Sequence, residues 1–304
     1  MSDTTQPTVT QATRVPATWR DYLALTKPRV ISLLLFTALA AMFVVNDATH
    51  SVTIIRFIAV LFGGYAAAGS ANTLNMVYDR DIDGKMGRTA TRPTVTEQIS
   101  ATRALLFAAM LEIFSFVLLT RCANLLSALM ALSGLLFYVF IYTMLLKRRT
   151  WHNIVIGGAA GAFPPLVGAA AVSGSITPMA WLMFWLIFAW TPVHFWALAL
   201  LIRDEYASVG IPMLPVVKGD RATVMQIMMY AVVTVAVSYV PCIMHWSGPV
   251  YFVSALILNL ILAWKCAQLN KSTERKQASG LFHYSMLYLA ILFLCLAIDH
   301  AVIR

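Results

Sequence analysis

One short segment of this sequence carries oxygen-bearing side chains at a spacing that suits metal chemistry. Asn75, Asp79 and Asp83 stand at positions i, i+4 and i+8, so on a helix they lie on one face. Two carboxylates four residues apart repel each other, and a divalent cation between them removes that repulsion. Carboxylate and amide oxygens suit Mg²⁺, which usually takes one or two carboxylates together with substrate phosphates. The segment predicts a Mg²⁺-diphosphate site; the alternative is a solvated, charged loop.

A second acidic segment begins at Asp204 and Glu205, which precede Tyr206. Acidic side chains are scarce in this chain, with 13 in 304 residues. Six of them lie in or beside the two segments: Asp79, Asp81, Asp83, Asp204, Glu205 and Asp220. If the segments face each other, they could hold metal ions around a diphosphate and neutralise its departing oxygens.

Several other polar side chains are predicted to complete this site. Arg88, Lys147 and Arg148 are expected to bind the diphosphate oxygens, since each stands in a segment that follows an apolar stretch. Asn153 is a candidate to orient a ligand of the same site, and a helix cap is the alternative role for it.

The elements that position these residues are predicted to be transmembrane helices. The chain is 60% hydrophobic and 12% charged, whereas soluble domains average about a quarter charged residues. A span needs roughly 20 apolar residues in a helix, because backbone polar groups cannot stay unpaired in hydrocarbon. Nine stretches qualify, at about 29–46, 54–78, 104–120, 122–146, 153–172, 179–202, 223–244, 249–267 and 281–302. The fold class is therefore all-α, a polytopic membrane protein with nine spans.

The placement of basic residues predicts the orientation of these spans. Nineteen of the 22 Lys and Arg residues fall before span 1 or after spans 2, 4, 6 and 8. Under the positive-inside rule this puts the N-terminus and the acidic segments on the cytoplasmic face, and the C-terminus outside. The net charge of +9 is then a consequence of topology, so nucleic acid is excluded as a partner and the lipid bilayer is the expected surroundings.

The domain organisation is predicted to be simple. Residues 1–26 are polar and lack the apolar core of a signal peptide, so we expect a flexible cytoplasmic tail followed by one transmembrane domain over 27–304. The tail has only two arginines, Arg14 and Arg20, which favours a bacterial plasma (inner) membrane over a mitochondrial one. The four cysteines show no metal-ligand or disulfide spacing.

The motifs together resemble those of the intramembrane aromatic prenyltransferases, a superfamily that includes 4-hydroxybenzoate polyprenyltransferase. NxxxDxxxD at 75–83 is similar to the first aspartate-rich motif of that superfamily. The combination resembles the protohaem IX farnesyltransferase (haem O synthase) family within it. The matching stretches are YDRDID at 78–83, YTMLLKR at 142–148, NIVIGG at 153–158, TPVHFWALA at 191–199, DEY at 204–206 and IPMLP at 211–215.

This resemblance implies nine helices around a central cavity, with Mg²⁺, a farnesyl diphosphate donor and a haem b acceptor. It implies that Asp79, Asp83 and Asp204 are catalytic, that they bind metal together with Asn75, and that Tyr206 contacts substrate. Farnesyl would join a haem vinyl group and water would add, giving haem O and diphosphate. Downstream partners would be haem A synthase or terminal oxidase assembly. Ser208 stands where other aromatic prenyltransferases carry a second aspartate, so Asp204 has less support, with Glu205 or Tyr206 as alternatives.

Two polar residues within the spans have open roles. His194 is a candidate haem contact, because imidazole is a ligand of haem iron; a structural histidine bonded to a backbone carbonyl is the alternative. Glu112 lies in the middle of span 3, and an acid inside the membrane is a functional candidate by default, although pairing with a polar neighbour explains it equally well.

Three other functions compete with haem farnesylation. Pro164, Pro165 and Pro192 interrupt apolar spans, and discontinuous helices are typical of transporters; the acidic segments, however, lie at span ends and not at the midplane. A haem-binding assembly factor would need no acidic clusters. A prenyltransferase acting on another aromatic acceptor is the remaining alternative.

Overall fold

The structure, a computed structural model, describes residues 16–47 and 49–303. Within these residues all regular secondary structure is helical. The helices are α1 (Trp19–Thr26), α2 (Pro28–Val44), α3 (Ile54–Tyr78), α4 (Arg80–Asp83), α5 (Ala101–Cys122), α6 (Leu125–Leu136), α7 (Asn153–Gly157), α8 (Ala159–Ser173), α9 (Pro178–Leu201), α10 (Arg203–Ser208), α11 (Leu214–Ile243), α12 (Pro249–Lys271) and α13 (Arg275–Ile303).

The described residues contain eight single helical stretches that are long and apolar enough to cross a membrane. The pair α1 and α2, bent by 52°, makes a ninth when counted as one span. The predicted all-α membrane fold is thus confirmed. The differences lie at the span ends, where the short helices α1 and α10 were not predicted.

The predicted tail contains one of these short helices. Trp19–Thr26 form α1, and Leu25 is fully buried in a small apolar cluster with Met76, Ile99 and Ala104. Residues 19–26 are therefore helical and packed and not a flexible tail, whereas residues 1–15 lie outside the described part of the chain and the division at residue 26 stays a prediction.

Polar caps at the starts of the long helices explain where these begin. Thr53, Ser100, Asn124 and Thr177 each accept a hydrogen bond from the backbone N–H three residues later. Such a bond satisfies one of the donors that a helix start leaves unpaired. Each cap lies in a turn that separates two apolar runs, which is why the span boundaries could be predicted.

The span that starts with α6 ends in an unusual winding. Residues Phe137–Leu146 form a π-helical segment, and the N–H of Lys147 donates to the carbonyl of Tyr142 at 2.8 Å. A Cβ on Gly157 would lie 2.3 Å from the Tyr142 ring, so a glycine is required where α7 crosses this segment. Short π-helical segments are frequent at functional sites, and this one delivers Lys147 and Arg148.

The prolines do not break the helices at the membrane midplane. α9 runs continuously through Pro192, and α8 runs through Pro164 and Pro165. The short break between α7 and α8 falls at Gly158, near the end of the span. This geometry removes the observation that favoured a transporter.

A buried hydrogen-bonded network joins α11, α12 and α13 in the second half of the chain. The Tyr251 hydroxyl donates to the Ser238 carbonyl at 2.8 Å, Asn259 Nδ2 to Ser238 Oγ at 2.9 Å, and the Tyr288 hydroxyl to Asn259 Oδ1 at 2.8 Å. Asp299, fully buried, accepts from the Tyr251 N–H at 3.0 Å at the start of α12. We call these five residues the α12 network.

Candidate active site

The helical path that carries Asn75 continues through Asp83, with a slight break at Asp79. The Asp79 N–H donates to the Asn75 carbonyl at 2.9 Å, and the Asp83 N–H donates to the Asp79 carbonyl at 2.9 Å. All three side chains are buried, and Asn75 Nδ2 donates to Asp79 Oδ2 at 2.7 Å. The structure therefore places the three predicted ligands in one buried row at the end of α3.

Basic side chains that directly follow the π-helical segment hold the carboxylate of Asp79. Lys147 Nζ donates to Asp79 Oδ2, and Arg148 Nη2 donates to Asp79 Oδ1 at 3.3 Å. Asp79 has no exposed surface, and a buried carboxylate is stable only when such partners compensate its lost hydration. Lys147 and Arg148 thus lie beside Asp79, a predicted metal ligand.

Asp83 is bound by a residue that the sequence analysis did not select. The segment between α4 and α5 folds back, so that Arg92 Nη1 donates to Asp83 Oδ2 and Thr89 Oγ1 donates to the Asp83 carbonyl at 2.8 Å. Arg88, the predicted residue, is exposed. It interacts electrostatically with Tyr142 and Tyr206, which places it near the site but not on an acidic side chain.

Lys27 reaches the same row from the break between α1 and α2. Its Nζ donates to Asn75 Oδ1 at 3.0 Å. It interacts electrostatically with Arg92, Lys147, Asp83 and Asp79. Basic groups from three separate segments therefore converge on the buried Asp79 and Asp83.

Asp81 is excluded from this row, as its position in the helix predicts. Its side chain is 59% exposed and accepts two hydrogen bonds from Arg148, at 2.7 Å each. These bonds from Arg148 lower the pKa of Asp81. Arg148 also lies over the Tyr78 ring, 4.9 Å from its centroid, so this arginine both neutralises Asp81 and contacts Tyr78.

The second acidic segment forms α10, and its two acids point in different directions. The Asp204 side chain is 91% exposed and pairs with the adjacent Arg203 at 3.2 Å. Glu205 is partly buried, and its Oε2 atom is buried without a hydrogen-bond partner. Arg203 also holds Asp220 through two bonds of 3.0 Å. The expectation that Asp204 is the metal-binding acid does not fit this geometry, because the phase of α10 turns Glu205 inward instead.

Tyr206 connects the two segments. Burial raises the pKa of its hydroxyl, and nearby Arg88 opposes this shift. Tyr206 also interacts electrostatically with Glu205, Asp79 and Arg92, so the ends of α3 and α9 approach each other as predicted.

Three buried polar atoms around the site have no hydrogen-bond partner among the described residues: Arg148 Nε, Asn153 Oδ1 and Glu205 Oε2. Asn153 is fully buried, and its Nδ2 donates to the Lys147 carbonyl at 3.2 Å; no bond from its side chain caps α7. Unpaired buried polar atoms are costly, and here they lie where a polar ligand would satisfy them.

The donor set fits Mg²⁺ bound together with a diphosphate. Asn75, Asp79 and Asp83 offer amide and carboxylate oxygens, which are hard ligands, and Glu205 Oε2 offers another oxygen without a partner. Within residues 16–47 and 49–303, no three His, Cys, Asp or Glu side chains form a metal-binding group by themselves. Phosphate oxygens would have to complete the coordination, as is common for Mg²⁺.

Comparison with known proteins identifies the family. The model of the UbiA prenyltransferase family matches residues 34–298. The chain belongs to this family. The buried row at Asn75, Asp79 and Asp83 lies within the matched region.

Relatives of this UbiA-family chain that carry the name protoheme IX farnesyltransferase are similar over most of its length. A protein of Thermus thermophilus is 57% identical over 286 residues, which are 94% of this chain and 47% of that protein. The protein of Deinococcus radiodurans is 53% identical over 297 residues, which are 94% of this chain and 95% of that protein. The chain thus spans about half the length of the Thermus relative and nearly all of the Deinococcus one.

Solved structures of UbiA-type proteins share the fold. A digeranylgeranylglyceryl phosphate synthase structure matches with a TM-score of 0.75 at 19% identity, over 92% of this chain and 98% of that one. A UbiA homologue from Archaeoglobus fulgidus, bound to DMAPP and Mg²⁺, matches with a TM-score of 0.66 at 16% identity, over 91% and 99%.

His194, the predicted haem contact, lies in a closed aromatic pocket of this fold. Its ring stacks between Trp190 and Phe282, with both centroids 4.6 Å away. Its Nδ1 is 2.8 Å from Ser285 Oγ, and the ring also bonds to the Phe282 backbone. Both ring faces are covered, so the geometry favours the structural alternative for His194.

Two contributors to the site, Arg92 and Lys27, were missed by sequence reasoning. Arg92 and Lys27 are separated from their partners by a folded loop and by a helix break, so no local spacing marks them. Glu205 stood as an alternative to Asp204, and only the direction of α10 decides between them. The signal available for Arg92 was its position in a basic segment directly after the Asp83 turn.

Proposed function

We propose that this UbiA-family chain transfers a farnesyl group from farnesyl diphosphate to a vinyl group of haem b, with addition of water, to give haem O and diphosphate. The surplus of basic groups around two buried carboxylates is the observation that carries the proposal. Lys27, Arg92, Lys147 and Arg148 surround Asp79 and Asp83, and an anionic ligand would balance them. The relatives' shared name supports haem as the acceptor.

The binding of the diphosphate is assigned to residues on the three converging segments. Asn75, Asp79, Asp83 and Glu205 would hold Mg²⁺, which supplies charge neutralisation on the departing oxygens. When the diphosphate binds, Lys147 and Arg148 would release Asp79 and donate hydrogen bonds to phosphate oxygens instead. An arginine binds phosphate and carboxylate with the same donors.

The reaction follows from cleavage of the allylic C–O bond of farnesyl diphosphate. The bond's electron pair leaves with the diphosphate, and the vinyl π electrons form the new C–C bond. Water then adds to the resulting cation and loses a proton, which yields the hydroxyethylfarnesyl group. The stacked rings of Tyr138 and Tyr142, 5.4 Å apart, lie close to Asp79, and aromatic faces attract cations.

The site is assigned to the cytoplasmic face of a bacterial inner membrane. The distribution of Lys and Arg supports this orientation, with the N-terminus inside and the C-terminus outside. Residues 27–304 would act as one domain and pass the product to haem A synthase or terminal oxidase assembly.

The test is reconstitution of the purified protein in lipid with farnesyl diphosphate, haem b and Mg²⁺. We expect a farnesylated haem carrying one added water, detected by mass spectrometry, and no product when EDTA replaces Mg²⁺. Prenylation of an aromatic acid in place of haem would overturn the acceptor assignment. Haem turnover that persists in EDTA would overturn the role of the metal.

A further inference from the structure

The break between α1 and α2 has a conformation that lysine does not favour. Lys27 has φ 55° and ψ 63°, the left-handed region, where glycine is the usual residue at a helix C-terminus. A side chain with a Cβ is disfavoured there. Sparsely populated backbone conformations persist where the surroundings enforce them, and they cluster at functional sites.

The surroundings of Lys27 do enforce this conformation. Asn72 Nδ2 donates to the Thr26 carbonyl at 2.9 Å. The Thr26 hydroxyl lies 2.7 Å from the Tyr65 hydroxyl, and both partners belong to α3. Pro28 then opens α2 without needing a backbone donor. The break is therefore pinned to α3, the helix that carries Asn75 and ends at Asp79.

This pinned geometry sends the Lys27 side chain to the metal row. Its Nζ donates to Asn75 Oδ1 at 3.0 Å, the amide oxygen that Mg²⁺ would need. The amine thus occupies one predicted ligand atom, while Lys147 occupies Asp79 and Arg92 occupies Asp83. Each of the three predicted metal-ligand side chains in the row therefore accepts a hydrogen bond from a basic side chain of the protein.

We propose that Lys27 is a further diphosphate-binding residue, whose amine leaves Asn75 Oδ1 for a phosphate oxygen when the metal and the prenyl diphosphate bind. When the metal and the diphosphate are absent, Lys27 stays hydrogen-bonded to Asn75 Oδ1. The inference rests on the proposed function, because it deepens the role of the same site. It explains why a lysine stands at a position where glycine would be less strained.

The test compares Lys27→Asn with Lys271→Asn in reconstituted protein. Asparagine tolerates the left-handed region, so the break should be retained; Lys271 is an exposed lysine at the end of α12. Binding of a non-hydrolysable farnesyl diphosphate analogue is measured by calorimetry at saturating Mg²⁺, and then as a function of Mg²⁺ concentration. No haem is present, so the result does not depend on the acceptor.

We expect Lys27→Asn to raise the Kd of the analogue about 10- to 100-fold, the loss typical of a charge-assisted hydrogen bond. The Mg²⁺ concentration needed for half-maximal binding should not rise, whereas Asn75→Ala should raise it. Lys271→Asn should match the wild type. Lys27→Arg, which keeps donors at the position, should restore part of the affinity.

Two results would overturn the inference while leaving the proposed function intact. One is an unchanged Kd for Lys27→Asn. The other is a raised Mg²⁺ requirement with unchanged affinity at saturation, since Lys27 would then only hold Asn75 in place. If wild-type protein binds no analogue with Mg²⁺, the proposed function itself fails. Lys27→Gly, with the residue that the backbone favours, replaces Lys27→Asn if the latter does not fold.

Discussion

The active-site row and the α12 network are both buried and polar, but their partners are arranged differently. In the α12 network, Ser238, Tyr251, Asn259 and Tyr288 form bonds of ordinary length with one another. Asp299 is held by backbone donors at the start of α12. In the row, the carboxylates are held by long basic side chains that could also bind phosphate, and atoms such as Asn153 Oδ1 stay unpaired.

This difference distinguishes a polar cluster whose groups satisfy one another from one in which several polar atoms stay unpaired. A fully paired buried network makes the packing specific. A cluster with surplus donors and orphaned acceptors costs stability unless a ligand completes it. We therefore expect substitutions in the row to affect turnover first, and substitutions in the α12 network to affect unfolding first.

The largest effect is expected for Asp79→Asn. Removal of this carboxylate should lower the rate of haem farnesylation by about 10³-fold or more, because metal neutralisation of a leaving group contributes several kcal/mol. The initial rate is measured with purified protein, and haem binding is followed by its absorbance. A variant that retains a tenth of the wild-type rate would place the metal elsewhere.

The next effect distinguishes the two acids of α10. We expect Glu205→Gln to lower turnover by about 10- to 100-fold, because it removes a charge-bearing oxygen that points inward. Asp204→Asn is the matched control and should stay within about threefold of wild type, since its side chain is exposed. The reverse ranking in the same rate assay would restore Asp204 as the metal-binding acid.

A smaller effect on turnover but a clear loss of stability is expected for Asn259→Leu. It removes the acceptor of the Tyr288 hydroxyl and the bond that Asn259 Nδ2 donates to Ser238 Oγ, at a cost of about 1 to 3 kcal/mol. The free energy of unfolding is measured in detergent, and turnover per folded molecule should stay within about twofold. Ser254→Ala on the exposed side of α12 is the control. A variant that is fully stable but inactive would contradict the division between the two regions.

The smallest effect is expected for Asp81→Asn. The Asp81 side chain is 59% exposed, and ion pairs of exposed carboxylates contribute about 0 to 1 kcal/mol. Unfolding should shift within that range, and turnover should stay within about threefold. A loss of turnover comparable to that of Asp79→Asn would mean that Asp81 also faces the metal.

The parts of the fold that sequence predicts well are those decided by local patterns. The apolar runs predicted the spans, and Thr53, Ser100 and Thr177 begin their helices as capping residues in the intervening turns. The spacing of Asn75 and Asp79 was sufficient as well, because one helical turn brings them together wherever the helix lies.

The sequence predicts poorly those parts of the site that depend on helix breaks and on tertiary contacts. Ile202 interrupts α9 with φ −123° and ψ 28°, and this break sets which acid of α10 turns inward. The contact of Lys27 with Asn75 joins residues far apart in the chain. His194 is of a residue type that binds haem iron, but Trp190 and Phe282 cover its ring. The spacing of residues in the sequence could not reveal this packing.

The π-helical segment Phe137–Leu146 directly precedes Lys147 and Arg148. The directions of these two side chains therefore depend on the number of residues in the segment before them. Each residue in a helix turns the following side chains by about 100°, so inserting or deleting one residue before Lys147 would redirect Lys147 and Arg148 together. Their chemical identity would be unchanged, and yet neither would meet Asp79. The register of a lipid-embedded helix is thus as much a determinant of this active site as the charges that it delivers.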